Sequence, residues 1–597
     1  MNSIWNKNIS LFKNRFPSLF EIFFKEIENF CTDFEKNSVS FWEISFSKNN
    51  LITASEKSFN QKLHSSYNPQ KEAENLTLTA KNSENLIFES FGLGYLVVEC
   101  AKKFPQKSFV VLEPDLNHFL AAMAFLDWSA VFEIKNLILA LSCTPEQAIT
   151  LINQFSIEES SIFCVKSQIS HAQDYYSVLN ELIERNKNQQ KINNSTLEKF
   201  GPLWIKNSIK NLRTVFFANS ILPYKNEGKN LSFVVIAAGP TLEEVLPFLA
   251  EIKKRAVLVA VDTALKACLT VNVEPDFIIL TDPQYWAYMH IAGLSSKSSI
   301  LITEASVLPC VFRFDCKKIL SCTSNFFLEQ YFEQISFSKG TLISGGSVAS
   351  TAWNFCEFCG AKEIFTAGLD LSFPDKKTHI KGSQFEEKIH TFSTKIKSAQ
   401  TQSLPLLFSA NCEYAENFQN QKVLTDKRMK MFAWWFESRI QNVRGVKTFS
   451  FSKKGLKIPG IENAEIKDFL SEKPILPQKE DFINLYKNEN LNLSEKDFYN
   501  YLNIFTENLR KILNESQKVL NILNDFKNSP LGEQKFFDAE QNFNAECQKL
   551  KISSFVKVLF PTKNQQTQTE FLLKKIEKYS LFSQNILKIL QKISKLY

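Results

Sequence analysis

The stretch LSFVVIAAGPTLEEVLPFL, Leu231–Leu249, decides the fold. Its unbroken apolar run, 233–238, reads as a buried strand. The Gly239-Pro240-Thr241 turn then breaks it, and Glu243 and Glu244 follow in the first turn of a helix, where acids suit the positive end of the helix dipole. A strand, a glycine turn and a helix start present free N–H groups to an anion, so Gly239, Pro240 and Thr241 are candidates for seating a phosphate. Thr241 can equally serve as a plain helix cap.

Two more strands follow in the same manner. AVLVAVD (256–262) ends at Asp262, and FIILTD (277–282) ends at Asp282. Ligands of parallel sheets bind outside the C-terminal ends of the strands. Acids at two successive strand ends are therefore candidates for holding ribose or sugar hydroxyls, for ligating a divalent ion, or for capping the next helix. TLISGGSVASTAWNFCEFCGAKEIFTAGLDLSF (341–373) adds a second glycine-rich helix start, Gly345-Gly346-Ser347, and a strand ending in Gly368-Leu369-Asp370. His379 lies a few residues on, in the polar loop DKKTHIKG (375–382), where a core histidine is not expected. With a reference pKa near ~6.5 it suits proton transfer or pairing with phosphate. His64, His118, His171, His290 and His390 have no comparable surroundings in the sequence.

Outside this region the pattern changes twice. The first part of the chain reads as helix and loop. LIFESFGLGYLVVECAKKF (86–104) with SFVVLEP (108–114) then opens another parallel unit. Gly92, Gly94 and Glu113 resemble a nucleotide-binding fingerprint, but its third glycine is replaced by Val97, and a turn that packs a helix on its sheet explains the same residues. KNQQKINNSTLEKFGP (187–202) reads as a polar linker. After Pro474 and Pro477 the strand pattern ends. SEKDFYNYLNIFTENLRKILNESQKVLNILNDF (494–526) begins with a capping box, Ser494 with Asp497, and repeats apolar residues at helical spacing. A second helix is expected over about 570–596. The apolar stripes of these helices pack on each other or serve a partner.

The 597 residues exceed what one core supports, and three domains are expected: 1–200, 211–455 and 456–597. Hydrophobic residues at 44% and charged residues at 22% describe a globular chain. The net charge of +7 arises from 70 basic and 63 acidic residues mixed along the sequence, which argues against nucleic-acid binding. There is no signal-peptide pattern and no apolar run near the ~18 residues of a membrane span, so a soluble, cytoplasmic protein is expected. The 12 cysteines, including Cys356 and Cys359, read as reduced thiols. The bias toward 55 Phe against 5 Met carries no mechanistic weight.

The blocks AAGPTLEE (237–244), VDTALKACLTVNVEPDFIILTD (261–282) and SGGSVASTAWNFCEFCGAKEIFTAGLDLSF (344–373) with DKKTHIKG resemble a domain shared by two families. These are the motility-associated factor glycosyltransferases and the archaeal 6-hydroxymethylpterin pyrophosphokinases. FESFGLGYLVVECA (88–101) with VVLEPD (110–115) resembles the N-terminal domain of the motility group. KVLTDKRMKMFAWWFE (422–437) and TFSFSKKGLKIPGI (448–461) resemble the segment after its glycosyltransferase core.

The resemblance implies an α/β protein with a Rossmann-like parallel-sheet central domain, a second α/β domain before it and an α-helical C-terminal region. It also implies transfer of a nonulosonic acid from a CMP-activated sugar to Ser or Thr of flagellin. In that reading Gly239, Pro240, Thr241, Gly345, Gly346 and Ser347 embrace the nucleotide phosphate and donor sugar, and Asp262 and Asp282 fix hydroxyls. His379 stabilises the leaving phosphate, and Asp370 acts as base or orients the acceptor. The glycine-proline turn is also similar to one in bacterial sialyltransferases that use CMP-sialic acid. Two departures stand out. Thr241 replaces a common Ser and keeps the hydroxyl. Asp282 is followed by Pro283-Gln284 rather than a second acid, which weakens a kinase-like metal site. The alternatives are a pterin pyrophosphokinase, which demands ATP and Mg²⁺, and a non-catalytic flagellin-binding protein.

Overall fold

A computed structural model describes residues 3–597 apart from 38, 81–82, 156, 158–159, 325, 409–410, 444, 490–491, 527–532 and 551–567. The chain forms two compact units, Met1–Asn194 and Ser195–Tyr597.

The first unit holds an antiparallel sheet of β1 (Trp42–Phe46), β2 (Ile52–Glu56) and β3 (Gln61–Lys62), where the sequence pattern predicts helix and loop. Its strands are short and carry Ser, Glu and Lys, so their alternation is faint. The parallel unit opened by 86–104 is present as expected. β4 (Asn85–Glu89), β5 (Ser108–Glu113), β6 (Leu137–Leu141) and β7 (Ser160–Cys164) form a parallel sheet in the order β6-β5-β4-β7.

The boundary between the units falls inside one helix, Gln173–Phe217, which also contains the stretch expected to be a polar linker. That expectation is corrected to helix. Lys, Asn and Gln mark exposed helix as readily as loop, and Pro202 is accommodated within the helix.

The second unit is built on nine strands. β8 (Asn219–Ser220), β9 (Ser232–Ile236), β10 (Val257–Val261), β11 (Phe277–Leu280), β12 (Ser295–Thr303), β13 (Asp315–Ser321) and β14 (Glu363–Ala367) are followed by the small hairpin of β15 (Cys412–Glu416) and β16 (Lys422–Asp426). β17 (Lys447–Ser450) and β18 (Ile461–Asn463) then complete the sheet. Its order is β18-β17-β14-β9-β10-β11-β12-β13-β8, with every pairing parallel. β18 carries the sheet past the expected end at residue 455.

Phe233, Val234, Val235 and Ile236 are all fully buried, which is why β9 reads as an unbroken apolar run: a parallel strand is covered on both faces. Consecutive strands from β9 to β13 run outward in one direction, and β14 returns to the other side of β9. The strand order therefore reverses between β9 and β14, and a crevice opens at their C-terminal ends.

The C-terminal helices follow the sequence closely. Glu495–Phe526 begins at the expected capping box, with Asp497 Oδ2 accepting from Ser494 N at 2.8 Å and Ser494 Oγ accepting from Asp497 N at 3.3 Å. Phe498, Leu502, Phe505, Leu509, Ile512, Val519 and Leu523 are buried. They form one core with Gln568–Leu596, with Glu533–Lys549 and with Ile209, Leu212 and Phe216 of the long helix. All 12 cysteines are free thiols, Cys356 and Cys359 among the buried ones. Among the described residues no helix is long and apolar enough to cross a membrane.

Candidate active site

The C-terminal edge of the large sheet gathers acids in strand order. Asp262 follows β10, Asp282 lies two residues beyond β11, Glu304 follows β12 and Asp370 lies beyond β14. The loops that carry Asp282 and Glu304 are fixed from behind by two buried asparagines of the long helix. Asn207 Nδ2 donates to Pro283 O at 3.2 Å and Ser306 O at 2.9 Å, and Asn211 Nδ2 to Ala305 O at 2.9 Å and Val307 O at 2.7 Å.

Asp262 is 2% exposed, and burial pushes its carboxyl up to about 7. Bonds from Thr263 oppose the rise, and the charge of Asp282 adds to it. Asp282 is half-buried. It too is pushed up by desolvation, while accepting from Gln284 N at 2.9 Å. Adjacent parallel strands lie about 4.8 Å apart, so the two strand-end carboxyls share one electrostatic environment, and the charge of Asp282 reaches Asp262. Among the described residues no group of three metal ligands forms in this unit.

Asp370 has a different place from the expected one. It is 2% exposed, and its Oδ2 accepts from Thr241 N at 2.9 Å. Its Oδ1 accepts from the Thr241 hydroxyl and from Ser452 Oγ at 3.1 Å. Desolvation raises its pKa to about 6 against those bonds. The carboxylate thus already fills the anion seat of the Gly239-Pro240-Thr241 turn. The remaining N–H groups of the turn are also taken: Gly239 N donates to Gly368 O, Leu242 N to Gly239 O and Glu243 N to Pro240 O. The helix that follows is one turn long, Leu242–Val245. The expectation that these residues seat a phosphate is corrected in this respect. Gly239 is glycine because a Cβ would stand 2.5 Å from Asp370 Oδ2 and from Gly368 O. Asp370 is a positioning residue that locks β14 to the start of that helix.

Gly345, Gly346 and Ser347 precede the helix Val348–Phe358, which Ser347 caps by accepting from Ser350 N. Gly345 N donates to Ser350 Oγ at 2.7 Å, and a Cβ on Gly345 would run into the Trp435 ring of the helix Lys427–Asn442. Gly345→Ala is expected to cost about 1–3 kcal/mol through overpacking, read as a lower urea midpoint for the second unit. Ser344 and Gly346 are exposed, so this glycine-rich start retains an open face.

His379 is not the polar-loop histidine the sequence suggests. Its ring is half-buried and stacks on Phe385 at 4.5 Å, with His290 on the same phenylalanine at 4.9 Å. Burial, together with His290 and Arg428, lowers its pKa to about 4. It is therefore neutral at pH 7 and cannot pair with phosphate as a cation. Ile380 N donates to Ala238 O at 2.9 Å, which ties the loop to the end of β9. The cations of this loop are Lys376, Lys377, 3.6 Å from Glu243, and Lys381, and Arg428 faces it from the helix after β16.

Two buried acids lie outside the motifs of the sequence. Glu304 is raised well above the usual carboxylate range by burial and then by Glu329, which itself sits at about 7 through burial. Glu329 accepts from Ser306 N at 2.8 Å and Ser324 N at 2.9 Å. SILITE (299–304), ending in Glu304, carries the same strand-end acid signal as FIILTD, and the same rule finds it.

In the first unit, the Gly92 turn is occupied by protein. Leu93 N donates to His64 Nε2 at 2.8 Å, and burial lowers His64 to about 3, which keeps that nitrogen an acceptor.

Each unit of the chain is similar to a known family. The family described as glycosyltransferase Maf N-terminal domain matches residues 24–193, and the family described as 6-hydroxymethylpterin diphosphokinase MptE-like matches residues 206–376. Two relatives from Treponema pallidum (strain Nichols), each described as an uncharacterized protein, are 33% identical over 224 residues and 29% identical over 247 residues. They cover 32% and 40% of this chain. The chain spans about half the length of these relatives, 56% and 48%. The fold is similar to that of a solved Maf glycosyltransferase from Magnetospirillum magneticum AMB-1, with a TM-score of 0.60, 13% identity, and coverage of 99% of this chain and 96% of that one.

Proposed function

From the premise that the chain belongs to the Maf glycosyltransferase family, with its Maf N-terminal and MptE-like domains in series, we propose that it transfers a nonulosonic sugar from a CMP-activated donor to Ser or Thr of flagellin. The observation that carries the reading is the pair Asp262 and Asp282 at adjacent strand ends, in a sheet that the MptE-like match spans in part and that follows a Maf N-terminal match in the same chain.

In this reading the acceptor hydroxyl oxygen bonds to the anomeric carbon while the bond from that carbon to the CMP phosphate oxygen breaks, and CMP leaves with the electron pair. The hydroxyl proton passes to a carboxylate of the pair; burial raises both, and Asp262 to about 7, near the working pH. The leaving phosphate is already anionic, so Lys377, Lys381 and Arg428 stabilise it by charge. Neutral His379 contributes a hydrogen bond and a flat surface beside Phe385. Asp370 and the Gly239 turn act behind this surface. The protein works in the cytoplasm on unassembled flagellin.

The test combines two readouts. CMP is expected to raise the melting temperature of the purified chain by mass action, and flagellin from cells lacking the gene is expected to be lighter by one or more sugar units. Asp282→Ala should abolish the added mass when it replaces the wild type, with the circular dichroism spectrum unchanged. Stabilisation by ATP with Mg²⁺ and unchanged flagellin would instead favour diphosphate transfer, the reading suggested by the second matched family. Stabilisation by neither nucleotide, with a flagellin defect that Asp282→Ala rescues as well as wild type, would favour a binding protein.

A further inference from the structure

The first unit contains a buried group of nitrogen and oxygen ligands that the proposed transfer does not use. The local sequence EPDLNH brings three of them together. Glu113 ends β5, and Asp115 caps the next helix, Leu116–Phe125, by accepting from Asn117 N at 2.9 Å. His118 is the third residue of that helix. His171 joins them from the short turn Ser170–Ala172. One ligand atom each from Glu113, His118 and His171 lies within 4.8 Å of the other two. His171 Nε2 is 2.8 Å from Glu113 Oε1, and the two imidazole rings stack at 4.0 Å.

The hydrogen bonding around this group is arranged as for ligands. Ser90 Oγ donates to Glu113 Oε2 at 3.0 Å and Asp115 N to Glu113 Oε1 at 3.1 Å, which fixes the carboxylate. Glu56 of β2 accepts from Trp42 Nε1 at 2.8 Å and stands 3.3 Å from His118 Nε2. The other ring nitrogen of His118, Nδ1, is buried and makes no aligned hydrogen bond; Asp115 Oδ2 is 3.2 Å from it. His118 is 6% exposed, so Nδ1 has the Asp115 carboxylate beside it in place of water. An imidazole with Glu56 on one nitrogen and the other nitrogen turned toward Asp115 and the Glu113–His171 pair resembles a metal-ligating histidine oriented by an outer acid. The Asp115 side chain is 44% exposed and opens the group to solvent.

We propose that Glu113, His118 and His171, with Asp115 on the open side, bind a divalent first-row transition ion of the zinc type. Two imidazoles with one or two carboxylates suit such an ion far better than they suit Mg²⁺ or Ca²⁺, which take oxygen. A zinc ion bonds such atoms at about 2.0–2.2 Å and lies in the plane of each ligating imidazole, so the stacked rings of His118 and His171 turn out of their parallel arrangement to close on it. The ion would tie the end of β5 to the segments bearing Glu56 and His171, and would stabilise the first unit by binding only its folded form.

The test uses the full chain stripped with a chelator, desalted, titrated with Zn²⁺ and assayed for bound zinc by mass spectrometry and for melting temperature. The wild type is expected to retain one zinc more than His171→Ala and to melt higher with zinc than without. Glu56→Gln keeps the bond from Trp42 and should weaken the affinity about 10- to 100-fold. Asp115→Asn, at an exposed position, gives a second reading should His171→Ala fold poorly, and is expected to lower the affinity with no change in circular dichroism. Equal zinc content in wild type and both ligand variants would place the metal on the 12 thiols and overturn the proposal, as would the absence of zinc from all of them.

Discussion

Asp370→Ala is expected to destabilise the second unit by roughly 3–5 kcal/mol, because it orphans buried donors that each cost about 1–3 kcal/mol when left unpaired. The donors are Thr241 N, the Thr241 hydroxyl and Ser452 Oγ, all directed at one carboxylate that is 2% exposed. Truncation also leaves a void where Gly239 and Gly455 have given up side chains to let that residue in. Urea unfolding of the wild type, Asp370→Ala and Asp370→Asn separates the roles. The asparagine keeps an acceptor for Thr241 N and should retain more than half of the lost stability. A purely catalytic Asp370 would show the reverse: both variants as stable as wild type and both inactive. Without the unfolding measurement, a loss of transfer in Asp370→Ala would be read as evidence for a base that the geometry does not support.

The contrast between Asp370 and Asp262 shows how far the sequence can be read. Both acids follow apolar strands, and the strand pattern correctly brings them to one edge of a parallel sheet. Binary patterning carries that much, since a strand covered on both faces leaves a continuous apolar run and the first polar residue marks its end. What the pattern lacks is the pairing of side chains from distant segments. Ser452 lies 82 positions from Asp370, and no local rule announces that it points at the same carboxylate. His379 departs from its expectation for the same reason. DKKTHIKG is mostly polar, yet Phe385 just beyond it stacks on the ring, and His290 from a distant segment packs on that phenylalanine. The histidines of the first unit have little to distinguish them in the sequence, and they acquire their acidic partners through β2 and the Ser170–Ala172 turn. The strands β1–β3 are illegible because half-exposed, polar strands lack the period that buried ones display.

Asp262→Asn is expected to make the chain more stable at pH 8 while lowering its activity. In the folded chain burial holds this carboxyl near pKa 7, whereas in the unfolded chain it titrates near ~4. Between those pH values the folded form keeps a proton that the unfolded form has lost, so stability falls as pH rises from 4 to 7 and the loss is complete above 7. The difference corresponds to at most roughly 4 kcal/mol at pH 8. An asparagine carries no charge to desolvate and can still accept from Thr263, so the wild type should lose stability between pH 5 and pH 8 and the variant should lose much less. Melting temperatures at the two pH values read this directly. Identical pH dependence in both proteins would mean that solvent reaches Asp262 in solution and that its carboxyl is not held near neutrality. A residue whose removal strengthens the fold and weakens transfer is placed there for its chemistry, since folding alone would have replaced it. That combination would assign the proton-accepting role to the Asp262–Asp282 pair on grounds independent of the family likeness.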